Sequence, residues 1–143
     1  MDLNYNLIEP ENIHEIKGQD VVKINGTQRT PKITFDTKKG ELTFKGHSLP
    51  ENTGDFYYPI LQWVRNYIEH APQVTNVNFD LEYFNSSSFK MLLEMIQILS
   101  KLKIKEKELI VTWNYQEGDE DMFDSGKQLE ELLDIKFDYI CYK

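Results

Sequence analysis

The 143-residue chain is predicted to fold as an α/β protein: a mixed β-sheet with helices packed on it, opening on a β-hairpin and then alternating helix and strand. Three observations predict this. Two alternating apolar–polar runs flank a short glycine-containing turn near residue 40. Further alternating runs recur later in the chain. Amphipathic or apolar helical segments of ten or more residues separate them, as βαβ crossovers require.

Taken in order, Lys32-Ile33-Thr34-Phe35-Asp36 and Glu41-Leu42-Thr43-Phe44-Lys45 alternate as half-buried strands do, with Lys39-Gly40 turning between them. Pro50 to Asp55 form a loop into a helix on which Phe56, Ile60, Trp63, Val64, Tyr67 and Ile68 share a face. Pro59 is tolerated only near a helix start, so this helix is expected to begin close to Asp55 and to end at Ala71-Pro72. Val74 to Leu81 alternate as a strand. A helix through about Leu102 follows, then a strand over Lys107–Tyr115 with Leu109, Val111, Trp113 and Tyr115 on one face. An acidic loop at Gly118 to Asp121 precedes a third helix carrying Met122, Phe123, Leu129, Leu132 and Leu133. Ile135 to Tyr142 close the chain as a strand. Residues 1–28 are weakly patterned, with a Val21-Val22-Lys23-Ile24 run ending at the turn signal Asn25-Gly26, and are expected to be an extension docking on the domain formed by residues 29–143 as a short helix or strand.

The bulk composition narrows the function. Twenty-four acidic against sixteen basic residues leave a net charge of −8, which argues against duplex nucleic acid and anionic membranes as partners. The one dense basic run, Lys101, Lys103, Lys105 and Lys107, is diluted by Glu106 and Glu108 and reads as a solvated turn. One cysteine, Cys141, excludes an intrachain disulfide, and its place in an apolar strand suggests a packed core thiol. No apolar run spans a bilayer. Met1 leads into Asp2-Leu3-Asn4-Tyr5 with no basic or apolar leader, so a cytoplasmic location is expected.

Enzymatic chemistry has little to rest on. His14, His47 and His70 lack metal-ligand spacing, the seven glycines form no phosphate loop, and the run from Glu117 to Asp124 lacks the order of a calcium loop. The expectation is a non-enzymatic protein without metal or cofactor. The acidic run is better placed as negative charge at the start of the last helix. Trp63 and Trp113 fall at inward positions and read as core.

The informative stretch is Leu81 to Ser88, where a strand ends and Asn85, Ser86, Ser87 and Ser88 open the next helix. Asn and Ser are preferred helix caps, yet one cap suffices and four candidates stand in a row. A helix N-terminus also tolerates a phosphoryl group, so the same physics suits a phosphorylation switch. On the helix that follows, Lys90, Glu94, Gln97 and Lys101 make one narrow polar stripe and the rest is apolar. Such a helix is either sandwiched in the core, the expectation here, or partly exposed to a partner.

In this element order, a strand running into a Ser-Ser helix start resembles the STAS fold of anti-sigma-factor antagonists. The match is closer to the SiaC family of regulatory phosphoproteins. Its landmarks appear as Thr30-Pro31, Leu49-Pro50-Glu51-Asn52, Tyr83-Phe84-Asn85-Ser86-Ser87-Ser88, Trp113-Asn114-Tyr115 and Glu117-Gly118-Asp119-Glu120-Asp121. They cover about residues 29 to 142. Ser86 stands where the family has a threonine, and Leu49 where its loop has a tyrosine. The resemblance implies that a dedicated kinase phosphorylates Ser86 and a PP2C-type phosphatase reverses it. It further implies that the unphosphorylated form binds an effector, a diguanylate cyclase in cyclic-di-GMP and biofilm signalling. Tyr83, Asn85, Ser87, Ser88, Glu51 and Asn52 would form the switch region and partner surface. The alternative reading is a constitutive interaction module or homodimer in which the serines only cap the helix.

Overall fold

The computed structural model describes residues 7–143. Met1–Asn6, part of the expected N-terminal extension and the residues from which the lack of a leader was read, lie outside the described residues. The fold is a seven-stranded mixed sheet: β1 (Leu7–Ile8), β2 (Val21–Ile24), β3 (Lys32–Asp36), β4 (Glu41–Ser48), β5 (Val74–Phe84), β6 (Glu108–Gln116) and β7 (Asp138–Tyr142), lying side by side in chain order. β2, β3 and β4 are antiparallel neighbours, and β4 to β7 run parallel. The helices are α1 (Thr53–Tyr67), α2 (Ser86–Leu99) and α3 (Glu120–Leu133), with 3₁₀ segments at Pro10–Ile16 and Ser100–Lys105.

Because each parallel connection moves one strand along, right-handed crossovers put every helix on the same face. Accordingly α1 packs on α2 and on the Pro10–Ile16 segment, and α2 packs on α3. The alternating residues Ile33, Phe35, Leu42, Phe44, Val77, Phe79, Val111 and Trp113 all point into the core beneath this layer. Phe35 stacks on Trp63 and Phe44 on Phe79, with ring centroids 4.5 and 5.1 Å apart. The opposite face carries the polar half of the alternation. One rung aligns Lys23, Thr34, Thr43, Asn78, Thr112 and Asp138 across six strands, a composition that water can cover.

Several expectations need correcting. α1 starts at Thr53 rather than near Asp55, so Pro59 lies in its second turn. Asn52 caps the helix with a side chain that accepts from the Asp55 N–H at 3.0 Å. The carbonyl that Pro59 leaves unbonded, four residues back, belongs to exposed Asp55 and can turn to water. β5 continues to Phe84, because β4 also lengthens and pairs with it through a bulge at Gly46/His47. Cys141 is exposed and not a core thiol. It lies at the far end of the edge strand, past Tyr139, and its neighbour Ile140 is also 50 % exposed. α2 is a core element as expected, burying Ser88, Leu92, Met95, Ile96, Ile98 and Leu99. It gives way after Leu99 to the 3₁₀ turn that carries Lys101, Lys103 and Lys105 in solvent.

Candidate functional site

β5 hands the chain to α2 through Asn85, whose extended backbone (φ −90°, ψ 175°) is that of an N-cap. Its Oδ1 accepts from the Ser88 N–H at 2.9 Å and from the Ser87 hydroxyl at 3.1 Å. Its own N–H donates to the Ser48 carbonyl at 3.0 Å, which fixes the helix start to the end of β4. The four candidates therefore have separate fates. Asn85 is the cap, Ser88 is buried, and Ser87 is half-buried and bonded. Ser86, the first residue of α2, is exposed, and its hydroxyl is not engaged among the described residues.

Two loops far apart in sequence meet here. The Ser88 hydroxyl donates to the Ser48 carbonyl at 2.9 Å and accepts from the Ser48 hydroxyl at 2.8 Å. The Ser48 hydroxyl also meets the Tyr57 hydroxyl. Each hydroxyl owns one proton, so the chain runs one way: Tyr57 to Ser48 to Ser88 to the Ser48 carbonyl. Burial pushes the Tyr57 phenol up to about 12, with the nearby Ser48 and Ser88 hydroxyls opposing the rise; like any phenol it is a donor at neutral pH. Beside this network the Thr53 and Ser87 hydroxyls bond at 2.8 Å, joining the first residue of α1 to the start of α2.

Of the residues singled out in the sequence, Asn85, Ser86, Ser87 and Ser88 form one cluster, and Glu51 and Asn52 stand exposed on the loop that Thr53 ties to it. Tyr83 is 51 % exposed on the last stretch of β5, aligned with His47; it makes no hydrogen bond with the cluster. Sequence reasoning missed Ser48, Thr53 and Tyr57. The one signal was parity: Ser48 follows Leu42 and Phe44 at inward positions, and a polar residue there demands a partner.

Ser86 faces solvent on the first turn of α2. Hollows of about 470, 640 and 430 Å³ lie elsewhere, and none is lined by a residue of this cluster. Such a site suits a macromolecular partner better than a small ligand. The acidic loop does cap α3: Asp119 Oδ1 accepts from the Met122 N–H at 3.1 Å, with Glu120 and Asp121 in the first turn. His14 and His70 are exposed, and His47 lies 3.8 Å from Glu82 on the surface.

Comparison with known proteins agrees on one family. The model described as "SiaC family regulatory phosphoprotein" matches residues 24–142. An uncharacterized protein of Pseudomonas aeruginosa (strain UCBPP-PA14) is 26 % identical over 114 residues, covering 80 % of this chain and 90 % of that protein. Among solved structures, apo-SiaC from Pseudomonas aeruginosa superposes with a TM-score of 0.74 at 23 % identity, over 87 % of this chain and all of that one. A chain in the crystal structure of the diguanylate cyclase SiaD in complex with its activator SiaC, from the same organism, gives 0.78 at 24 %, over 85 % of this chain and 99 % of that one. At these identities the structural likeness establishes the fold.

Proposed function

Since the chain belongs to the SiaC family of regulatory phosphoproteins, we propose that it is a partner switch thrown by phosphorylation of Ser86. The observation that carries this reading is the exposure of Ser86 on the first turn of α2 while its three polar neighbours are spent on structure. A phosphoryl group there brings about −2 charge to a helix N-terminus that stabilises it. The helix persists, and the change falls on the surface a partner reads. A partner that docks closely on the free hydroxyl loses its fit when the bulk and charge of the phosphate arrive.

In this reading the unphosphorylated protein engages the effector, a diguanylate cyclase by analogy with the SiaD complex. A kinase and a PP2C-type phosphatase set the balance, and the protein works in the cytoplasm with no chemistry of its own. No described helix is long and apolar enough to cross a membrane. Residues 29–143 act as the regulatory domain. The extension, within its described part, lengthens the sheet through β1 and β2.

The test is intact-mass and peptide mass spectrometry on the protein purified from its own host, beside Ser86→Ala. A phosphoryl adduct on Ser86 that disappears in the variant is the expected result, with effector capture by the unmodified form only. Protein that stays unmodified across growth conditions would leave a constitutive module or homodimer as the better account.

A further inference from the structure

We propose that Thr53, on a different helix, is the positioning residue that confines phosphoryl transfer to Ser86 and denies it to Ser87. The proposal rests on Ser86 being the acceptor. In the transfer a serine oxygen attacks the terminal phosphorus of a nucleoside triphosphate held by the kinase. An O–P bond forms, the phosphoanhydride bond breaks, the nucleoside diphosphate leaves, and the hydroxyl proton passes to a base on the kinase. The acceptor oxygen therefore needs a free lone pair, a releasable proton and access to solvent.

The three consecutive serines differ on each count. Ser88 is fully buried; its proton goes to the Ser48 carbonyl and its oxygen accepts from the Ser48 hydroxyl. Ser87 is half-buried, and its proton goes to Asn85 Oδ1. With that proton committed, the 2.8 Å contact with Thr53 is one in which Thr53 donates and occupies a lone pair of Ser87. Ser86 carries neither commitment and faces water. Successive residues on a helix are about 100° apart, so Ser86 and Ser87 face different directions. Only the contact from α1 gives Ser87 a second partner. Remove the Thr53 donor, and Ser87 keeps a single bond to the cap at the edge of the same exposed turn.

Thr53→Val deletes that donor while preserving shape, and Thr53→Ser restores it. Each is combined with Ser86→Ala, and phosphosites are mapped on protein purified from its own host. Ser86→Ala alone should carry no adduct on α2. Thr53→Val with Ser86→Ala should regain one on Ser87, and Thr53→Ser with Ser86→Ala should not. Thr53→Val alone should split the adduct, with Ser87 holding at least about a tenth of it. Thr53→Ala, which deletes the donor by a different route, gives the same expectations if the valine variant fails to fold. Absence of Ser87 phosphorylation in both folded donor-less variants, with Ser86 still modified in their single forms, would overturn the role of Thr53 and leave the switch standing. A wild-type protein unmodified at Ser86 would overturn both.

Discussion

Glu130 shows how much one half-buried carboxylate can hold. Its oxygens accept from the Phe137 N–H and the Tyr139 hydroxyl, both at 2.6 Å, and Lys127 lies 3.3 Å away. Lys127 Nζ also stands 4.5 Å from the centre of the Tyr139 ring. Burial alone would raise the carboxyl pKa, but the three donors outweigh it and hold it below its ordinary value of 4.5. A group whose pKa is lower folded than unfolded adds stability above its unfolded value and loses it as pH falls through the folded one. Glu130→Gln is therefore expected to cost about 1–2 kcal/mol near pH 7. The gap from wild type should close as the pH drops below 4.5, and paired thermal melts at pH 7 and pH 3 measure this. Nothing in the sequence marked Glu130, because its donors lie seven and nine residues onward, across a turn and into an edge strand. The same holds at the start of α2. The run Asn85 to Ser88 was legible as a helix start. Which serine stays free depends on Ser48, Thr53 and Tyr57, on β4 and α1, and no local pattern encodes that meeting.

At the scale of elements, the contact of α3 with β6 turns on a glycine. A methyl group on Gly126 would fall 2.7–3.0 Å from the Trp113 ring, and that ring is fully buried and held by an N–H bond to the Met122 carbonyl at 2.9 Å. Helix propensity favours alanine over glycine by about 1 kcal/mol, while overpacking a core that cannot yield costs about 1–3 kcal/mol. Because Trp113 is pinned, the second effect should win. Gly126→Ala is expected to be less stable than wild type by about 1 kcal/mol in urea unfolding, the reverse of an ordinary helical glycine. β3 to β6 were readable because their inward residues are large and strictly alternate. β1 was not, since two residues show no period and Leu7–Ile8 is a strand only because β2 lies beside it. The Pro59 rule failed for a related reason: where α1 starts was decided by the Asn52 cap and by the contact with α2.

Taken whole, the described part of the molecule has one helix-covered face and one polar face, with the Ser86 turn at the rim where β4 and β5 end. Among the described residues, the side-chain and capping hydrogen bonds of the first turn of α2 go to β4, α1 or its own cap, and the Ser86 hydroxyl takes part in none of them. Charge added there should change the surface and leave the interior as it is. Ser86→Glu is expected to keep amide hydrogen exchange in β4, β5 and β6 unchanged. Its melting temperature should hold or rise, consistent with up to about 1 kcal/mol from an anion at a helix N-terminus. Accelerated exchange across those strands would instead mean that the modification loosens the core.

β5 outruns β6. Their pairing stops at Phe79 and Trp113, whereas β5 continues beside β4 to Phe84 before turning into α2. The residues from Asp80 onward thus form a jetty paired with β4 alone, on which Glu82 and Tyr83 are exposed. Substitutions at exposed Glu82 and Tyr83 should therefore leave the packing of the domain alone, whereas one at Leu81, which is buried in the core, should not. The exposed positions Glu82, Tyr83 and Ser86 can therefore vary while the sheet beneath stays the same.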